Sequence, residues 1–279
     1  MIVKNEAAFL EGCLSSLRGH VDEIVIVDTG SVDETMDIAQ QFDCRVFQSP
    51  WQNDFSRARN VALANASSDW ALYIDADERL ICENNACLST LLPGDEATGV
   101  RLKFRPRSDM TCYDELRLFR CDERIRFYGS MHESIVPSVE AVCASDSTSI
   151  VPRYNISIEH LGYDGDQAHK HARNVPLLRQ AISENPERVF LRYDLGYRLC
   201  ATRSTEEAVP HLLEGMELAA RAGADDQARR EGSMCAQVLC EISLGREDFE
   251  TAMDHVCSGL QLFEDNLVLQ YIKAGILDR

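Results

Sequence analysis

Short apolar runs alternate with helix-spaced apolar residues along the first part of the chain. Residues 24–27 and 71–74 are wholly apolar or aromatic, and each run ends in an aspartate, Asp28 or Asp75. Elsewhere in this part, leucines and alanines recur every three or four residues, the spacing of one helical face. Runs of this length between polar residues are typical of buried parallel strands joined by right-handed crossovers. The pattern predicts an α/β domain with a mostly parallel, Rossmann-like sheet. Residues 1–3 resemble the stub of its first strand, and their abrupt start leaves open whether the natural chain begins further upstream.

The pattern changes after Pro93-Gly94. Apolar and basic residues alternate over residues 100–105, as in strands of an antiparallel or mixed sheet with one wet face. From about Asp166 onward the chain is helical, with amphipathic patterns over residues 193–199, 206–220, 228–243 and 249–262. Helix pairs that recur about every 34 residues suggest tetratricopeptide-like (TPR-like) hairpins, with a plain helical bundle as the alternative. We therefore predict two domains, residues 1–164 and residues 165–279.

Composition narrows the class of protein. The chain has 279 residues, 45% of them hydrophobic, and a formal net charge of −18. This acidity disfavours binding to nucleic acid or to an anionic membrane. No apolar run approaches the roughly 20 residues that span a bilayer, and no signal peptide is visible. The 11 cysteines contain no C-x-x-C pair, which indicates reduced thiols and a cytoplasmic location.

The aspartates that follow residues 71–74 suggest a chemistry. Side chains alternate along a strand, so Asp75 and Asp77 should point the same way, roughly 7 Å apart at the strand's carboxyl end. Ligands of open α/β sheets bind beyond that end. Two like-facing carboxylates repel unless a cation joins them, and Mg²⁺ or Mn²⁺ takes oxygen ligands and can bridge to a diphosphate. The pattern predicts an enzyme that acts on a nucleotide diphosphate.

Several motifs occur together in one order and spacing. They are M-I-V-K-N-E at residues 1–6, V-D-T-G-S-V-D-E-T at 27–35, D-F-S-R-A-R-N at 54–60, D-A-D-E at 75–78, R-L-F-R at 117–120 and M-H-E at 131–133. Together they resemble the family 2 glycosyltransferases of GT-A fold, most closely the bacterial subgroup with a TPR-like helical tail. The resemblance covers roughly residues 1–163. It implies a metal-dependent, inverting transfer of a sugar from a nucleotide sugar, with a UDP-sugar as the expected donor.

The resemblance also implies roles for individual residues. Asp28 would accept a hydrogen bond from the imide N–H of uracil, whereas Asn60 has the alternative role of anchoring its own helix. Arg57 or Arg59 would face the same donor pocket. The donor-binding residues implied are Val3, Lys4, Asn5, Glu6, Asp28, Gly30, Ser31, Arg57, Arg59, Asn60, Asp75 and Ala76.

The implied metal ligands are Asp75, Asp77 and His160, for Mn²⁺ or Mg²⁺. A histidine at this place is also compatible with a purely structural role. An inverting enzyme needs one general base opposite the leaving group. The candidate is Glu133, expected just after a strand, with His132 and Asp114 as alternatives.

The acceptor and partners follow less directly. A cell-surface glycan, a lipid-linked sugar or a polypeptide would suit the chemistry, and stacked helical hairpins would offer a concave surface to a protein partner. A competing hypothesis is a catalytically inactive GT-A protein that works as an adaptor through its helical tail. A nucleotidyltransferase is disfavoured because no glycine-rich phosphate loop lies near Met1.

Overall fold

The computed structural model describes residues 1–83, 88–106, 111–161, 168–221 and 223–278. The chain divides into two compact units, Met1–Gly165 and Asp166–Arg279. The first contains both sheets and the helices around them, and the described part of the second is helical. The predicted order, an α/β region followed by an all-α region, is confirmed.

A small parallel sheet opens the first unit. Its strands, in the spatial order β1-β2-β3, are β1 (Ile2–Val3), β2 (Val25–Asp28) and β3 (Arg45–Gln48). Helices α1 (Ala7–Leu17) and α2 (Thr35–Gln41) connect them, and α3 (Phe55–Ala64) follows β3. Leu10 and Leu14 of α1 pack with Ile26 of β2 and are fully buried. Apolar side chains spaced by four on α1 therefore fix that helix against the strands.

A second, mixed sheet has the spatial order β4-β7-β6-β8-β5 over the described residues. Of its strand pairs, only β6 with β8 is parallel. The helices of this part are α4 (Leu88–Leu91) and α5 (Val136–Asp146). Its strands are β4 (Trp70–Leu72), β5 (Glu78–Cys82), β6 (Ala97–Arg105), β7 (Tyr113–Arg120) and β8 (Ser149–His160). The alternation at residues 100–105 thus predicted the right kind of sheet.

The prediction that residues 71–74 form a parallel strand ending at Asp75 is wrong. Strand β4 ends at Leu72 and pairs antiparallel with β7. A cleft of about 230 Å³ is lined by residues of β1 and of β4, among others. Beyond β4 the chain turns, because Glu78 N–H donates to the Asp75 carbonyl at 3.1 Å. An apolar run marks a buried strand, but it does not say which strand will be its partner.

Consecutive helices pack against each other in the second unit. Small residues allow close approach: a Cβ added to Gly232 would lie 2.3 Å from Cβ of Ala219, and one added to Gly259 would lie 2.7 Å from Cβ of Ala236. The predicted helix over residues 249–262 is confirmed without change. The helices are α6 (Ala168–Glu184), α7 (Val189–Ala201), α8 (Thr205–Ala220), α9 (Asp226–Gly245), α10 (Phe249–Leu262) and α11 (Leu267–Leu277).

Candidate active site

The loops after β1 and β2 are tied together by hydrogen bonds. Asn5 adopts a left-handed backbone (φ +57°), and its N–H donates to Ser31 Oγ at 3.0 Å while its Oδ1 accepts from Val32 N–H at 2.8 Å. Ser31 N–H donates to Oδ1 of Asp28 at 2.9 Å. Parallel strands end at the same sheet edge, so the two loops meet there. The structure therefore brings the predicted pocket residues 4–6 and 28–31 together.

Of these residues, Lys4, Asn5 and Gly30 are exposed, whereas Asp28 is 5% exposed and Val3 is buried in the core. Gly30 has φ +114°, and nothing lies within 4 Å of where its Cβ would be. This turn therefore needs glycine for its backbone conformation rather than for space.

Helix α3 is fixed at its start. Oδ1 of Asp54 accepts from Arg57 N–H at 2.9 Å, an N-cap contact that satisfies one free helical donor. Phe55 N–H donates to the Ser130 carbonyl at 3.0 Å, which ties the helix to the segment that carries Glu133. The Arg57 side chain lies on the exposed surface of the unit.

Asn60 anchors α3 to the same region. Its Nδ2 donates to the Phe127 carbonyl at 2.9 Å, and its Oδ1 accepts from Phe127 N–H at 2.8 Å. Both polar atoms of the side chain are therefore engaged by one backbone residue. This geometry corresponds to the anchoring role considered above, not to a donor contact.

Arg59 joins two of the predicted site residues. Its Nη1 and Nη2 donate to Oδ1 and Oδ2 of Asp75 at 2.9 and 3.1 Å, and its Nε donates to Oε1 of Glu133 at 2.6 Å. The rings of Tyr73 and Phe127 lie 5.2 and 5.6 Å from the guanidinium carbon. We call Arg59, Asp75 and Glu133 the carboxylate bridge.

The charges of the carboxylate bridge support one another. Burial opposes ionisation of Asp75, but the charge and hydrogen bonds of Arg59 outweigh it and lower the pKa of Asp75 to about 2. Burial likewise opposes the charged form of Arg59, yet Asp75 and Glu133 raise its pKa well above the ordinary value. Asp75 and Arg59 are therefore ionised together at neutral pH.

A second buried ion pair lies beside the first and was missed from the sequence. Arg117 donates from Nη1 and Nη2 to the two carboxylate oxygens of Glu78 at 2.9 and 2.8 Å, and both side chains are almost fully buried. Oε2 of Glu78 also accepts from Asp75 N–H at 2.8 Å, which fixes the turn that carries the aspartates. The available signal was an arginine within the short apolar stretch of residues 116–119.

Asp77 lies next to His160. Strands β5 and β8 pair so that Glu78 is opposite His160, and Leu161 N–H donates to the Asp77 carbonyl at 2.8 Å. Oδ2 of Asp77 consequently lies 3.3 Å from Nε2 of His160. This pair brings a carboxylate oxygen and an imidazole nitrogen to one point.

Asp75 does not join that pair. Both of its oxygens accept hydrogen bonds from Arg59, and among the residues that the structure describes, no three His, Cys, Asp or Glu side chains are grouped as a metal site. The expected three-ligand cluster of Asp75, Asp77 and His160 is therefore not present in this form. Ala76, between the aspartates, points its side chain into the core of the parallel sheet.

The candidate bases occupy different surroundings. The expectation that Glu133 comes just after a strand is wrong, because Glu133 lies within a segment closed by an isolated bridge between Tyr128 and Ser134. His132 is half-buried and has φ +54°. Asp114 is exposed on β7, and in the described part of the chain no hydrogen bond or ion pair joins it to the carboxylate bridge.

The chain is similar in sequence to known proteins. Residues 1–84 match the sequence model of Glycosyl transferase family 2. The chain is 31% identical over 276 residues to a TPR repeat-containing protein of Synechococcus elongatus, a match that covers 94% of this chain and 65% of that protein. It is 28% identical over 221 residues to the SPbeta prophage-derived glycosyltransferase SunS of Bacillus subtilis, over 76% of this chain and 51% of that protein.

Among solved structures, S. aureus TarS is similar with a TM-score of 0.49 at 12% identity, over 93% of this chain and 89% of that chain. The chain thus spans between half and two thirds of the length of the two curated relatives above. Within the described residues, no helix has both the length and the apolar character needed to cross a membrane.

Proposed function

We propose that this chain, whose residues 1–84 match the sequence model of Glycosyl transferase family 2, moves a sugar from a nucleoside-diphosphate sugar, a UDP-sugar, to an acceptor nucleophile with inversion. The single observation that carries this proposal is the 3.3 Å distance between Oδ2 of Asp77 and Nε2 of His160. Asp77 lies in the turn before β5, and His160 ends β8. The carboxylate bridge adjoins this pair through the short segment from Asp75 to Asp77.

The cross-linked loops of residues 4–6 and 28–31 supply the donor pocket in this proposal. Asp28 ends β2, and Ser31 N–H holds its Oδ1 in place. A carboxylate fixed in this way can accept from the imide N–H of a uracil, a contact that cytosine, which lacks this donor, cannot offer. The pocket therefore favours a UDP-linked donor.

A divalent cation fits two of the three predicted ligands. Asp77 and His160 present an oxygen and a nitrogen donor, a set that suits Mn²⁺ better than Mg²⁺. Asp75 fits less well because Arg59 engages both of its oxygens. When bound, such an ion would stabilise the negative charge of the departing UDP.

Glu133 is the general base that we propose. Its side chain is 12% exposed, and Arg59 holds Oε1, so the direction of the carboxylate is defined. A base fixed in this way can accept the acceptor's proton from one direction only, which an inverting displacement requires. His132 is the neighbouring alternative, whereas Asp114 lies on the exposed part of β7.

The proposal is tested with the purified full chain. Calorimetry measures UDP binding with Mn²⁺, with Mg²⁺ and with a chelator, and release of UDP is followed over a panel of nucleotide sugars. We expect tight UDP binding only with a divalent ion, and its loss in Asp77→Asn. Asp95→Asn, whose side chain is fully exposed, is the matched control and should bind like the parent chain.

Two results would contradict the proposal. The first is the absence of ion-assisted binding for every nucleoside diphosphate tried, and the second is unchanged binding in Asp77→Asn. If donor binding fails while the helical unit captures a peptide ligand, the adaptor hypothesis replaces the enzyme. If a donor is turned over, product analysis with that donor identifies the acceptor among glycans, lipid-linked sugars and polypeptides.

A further inference from the structure

The nitrogens of the Arg59 guanidinium donate hydrogen bonds to two carboxylates of the chain itself. Two of the nitrogens donate to Asp75 and the third to Glu133, at distances of 2.6–3.1 Å. Its side chain is only 10% exposed, and two aromatic rings lie against the guanidinium. A group with its nitrogens so engaged and with so little open surface is poorly placed to bind a donor phosphate.

Hydrogen bonds on both sides of Arg59 hold the backbone of α3 in place. The Asp54 cap and the bond from Phe55 N–H to the Ser130 carbonyl fix the start of α3. Asn60, the residue after Arg59, is bonded twice to Phe127. The helix is therefore tied to the segment around Glu133 on both sides of Arg59, and little freedom is left to the guanidinium.

The shape of the guanidinium fixes the two carboxylates relative to each other. The planar fork binds Asp75 with two parallel hydrogen bonds, so the direction of the remaining Nε–H is set, and Glu133 must lie along it. A lysine ammonium carries the same charge but has no such plane. Arg59 thus transmits the position of the turn at Asp75 to Glu133.

We infer that Arg59 is a positioning residue that aligns Glu133 with the donor side of the site, rather than a donor-binding residue. This inference rests on the proposed function, in which Glu133 is the base. A base displaced by about 1 Å can lose roughly 10²-fold in rate, whereas substrate binding need not change.

The test compares steady-state kinetics of the full chain and three variants, Arg59→Lys, Glu133→Gln and the double variant. We expect Arg59→Lys to lower kcat by about 30-fold or more while the KM for the sugar donor stays within about threefold. In the Glu133→Gln background the same change should cost less than about threefold, since residues that act as a unit are not additive. Arg18→Lys is the control, because Arg18 is an exposed arginine directly after α1.

Two outcomes overturn the inference. A raised donor KM with unchanged kcat in Arg59→Lys makes Arg59 a donor contact, and fully additive losses make it independent of Glu133. If Arg59→Lys does not fold, Glu133→Asp serves instead, because it withdraws the carboxylate by one methylene while Arg59 stays, and an unchanged kcat there overturns the inference. A parent chain that turns over no donor refutes the proposed function itself, which separates the two failures.

Discussion

Asn60 offers a direct choice between a structural and a donor-binding role. Its two hydrogen bonds engage the backbone N–H and carbonyl of Phe127, a residue that is 3% exposed. Asn60→Ala leaves both groups without these partners. A buried polar group without its partner costs about 1–3 kcal/mol, so for these two groups we expect a loss of about 2–6 kcal/mol in the free energy of unfolding.

The measurement is urea denaturation of Asn60→Ala, with UDP binding in the presence of Mn²⁺ on the same samples. Asn65→Ala is the matched control, because Asn65 lies at the end of the same helix and its side chain donates to the Val61 carbonyl at 2.8 Å. We expect the control to lose about 1 kcal/mol or less. Folded Asn60→Ala should bind UDP within about twofold of the parent, since both polar atoms of the Asn60 side chain are engaged by Phe127.

The opposite pattern would refute this reasoning. If Asn60→Ala is no less stable than Asn65→Ala and UDP binding falls tenfold or more, Asn60 contacts the donor and the bonds to Phe127 are incidental. A loss of stability together with a loss of kcat at constant UDP affinity would instead indicate that the Phe127 segment carries Glu133 out of place.

Two further changes test the packing and the pH dependence. Gly232→Ala should lower the melting temperature, because the new Cβ would lie 2.3 Å from Cβ of Ala219 and overpacking costs about 1–3 kcal/mol. Gly275→Ala is the control: nothing lies within 4 Å of its new Cβ, so the free energy of unfolding should rise by about 1 kcal/mol. Equal effects of the two changes would contradict close contact between the helices. Glu23 is partly desolvated, which opposes ionisation, but the Ser67 and Ser68 N–H groups, the Ser68 hydroxyl and Arg45 donate to it and lower its pKa from 4.5 to about 2. The contribution of ionised Glu23 to stability is therefore present above pH 4.5 and lost as the pH falls toward 2. The difference in the free energy of unfolding between the parent and Glu23→Gln, about 1–3 kcal/mol, should shrink over that range. A difference that stays constant would show that the folded protein does not stabilise the carboxylate.

The helices and local strands were predictable because their signals are local. Apolar residues three and four apart define the buried stripe of α1, and the helix over residues 249–262 was predicted to the residue. The strand β5 and the helix α5 were missed. In β5, Arg79 interrupts the apolar pattern. Its Nη2 donates to the carbonyl of Phe9 at 3.0 Å, although the two residues are 70 positions apart in the sequence. Periodicity carries no information on such distant partners.

The identities of the site residues were also more predictable than their partners. Asp28 ends β2 and His160 ends β8, as the sequence indicated, whereas Asp77 lies just before β5, a strand that was missed. Nothing in the sequence says that Arg59, rather than a metal ion, meets Asp75. An aspartate before a turn can pair with either, and the choice depends on where α3 places the guanidinium, which is a property of tertiary packing.

The turn after β4 explains why two neighbouring aspartates end in different surroundings. In an extended strand Asp75 and Asp77 would face the same way. Two hydrogen bonds close the chain into a turn instead: Glu78 N–H donates to the Asp75 carbonyl, and Asp75 N–H donates to Oε2 of Glu78. Asp75 therefore meets Arg59 of α3, whereas Asp77 meets His160 of β8. A cation that used both aspartates would share the oxygens of Asp75 with Arg59, which already donates to each of them. The two positive charges would then lie at one carboxylate and repel each other. In the proposed function the geometry therefore favours a cation held by Asp77 and His160, with Asp75 paired with the arginine that places Glu133.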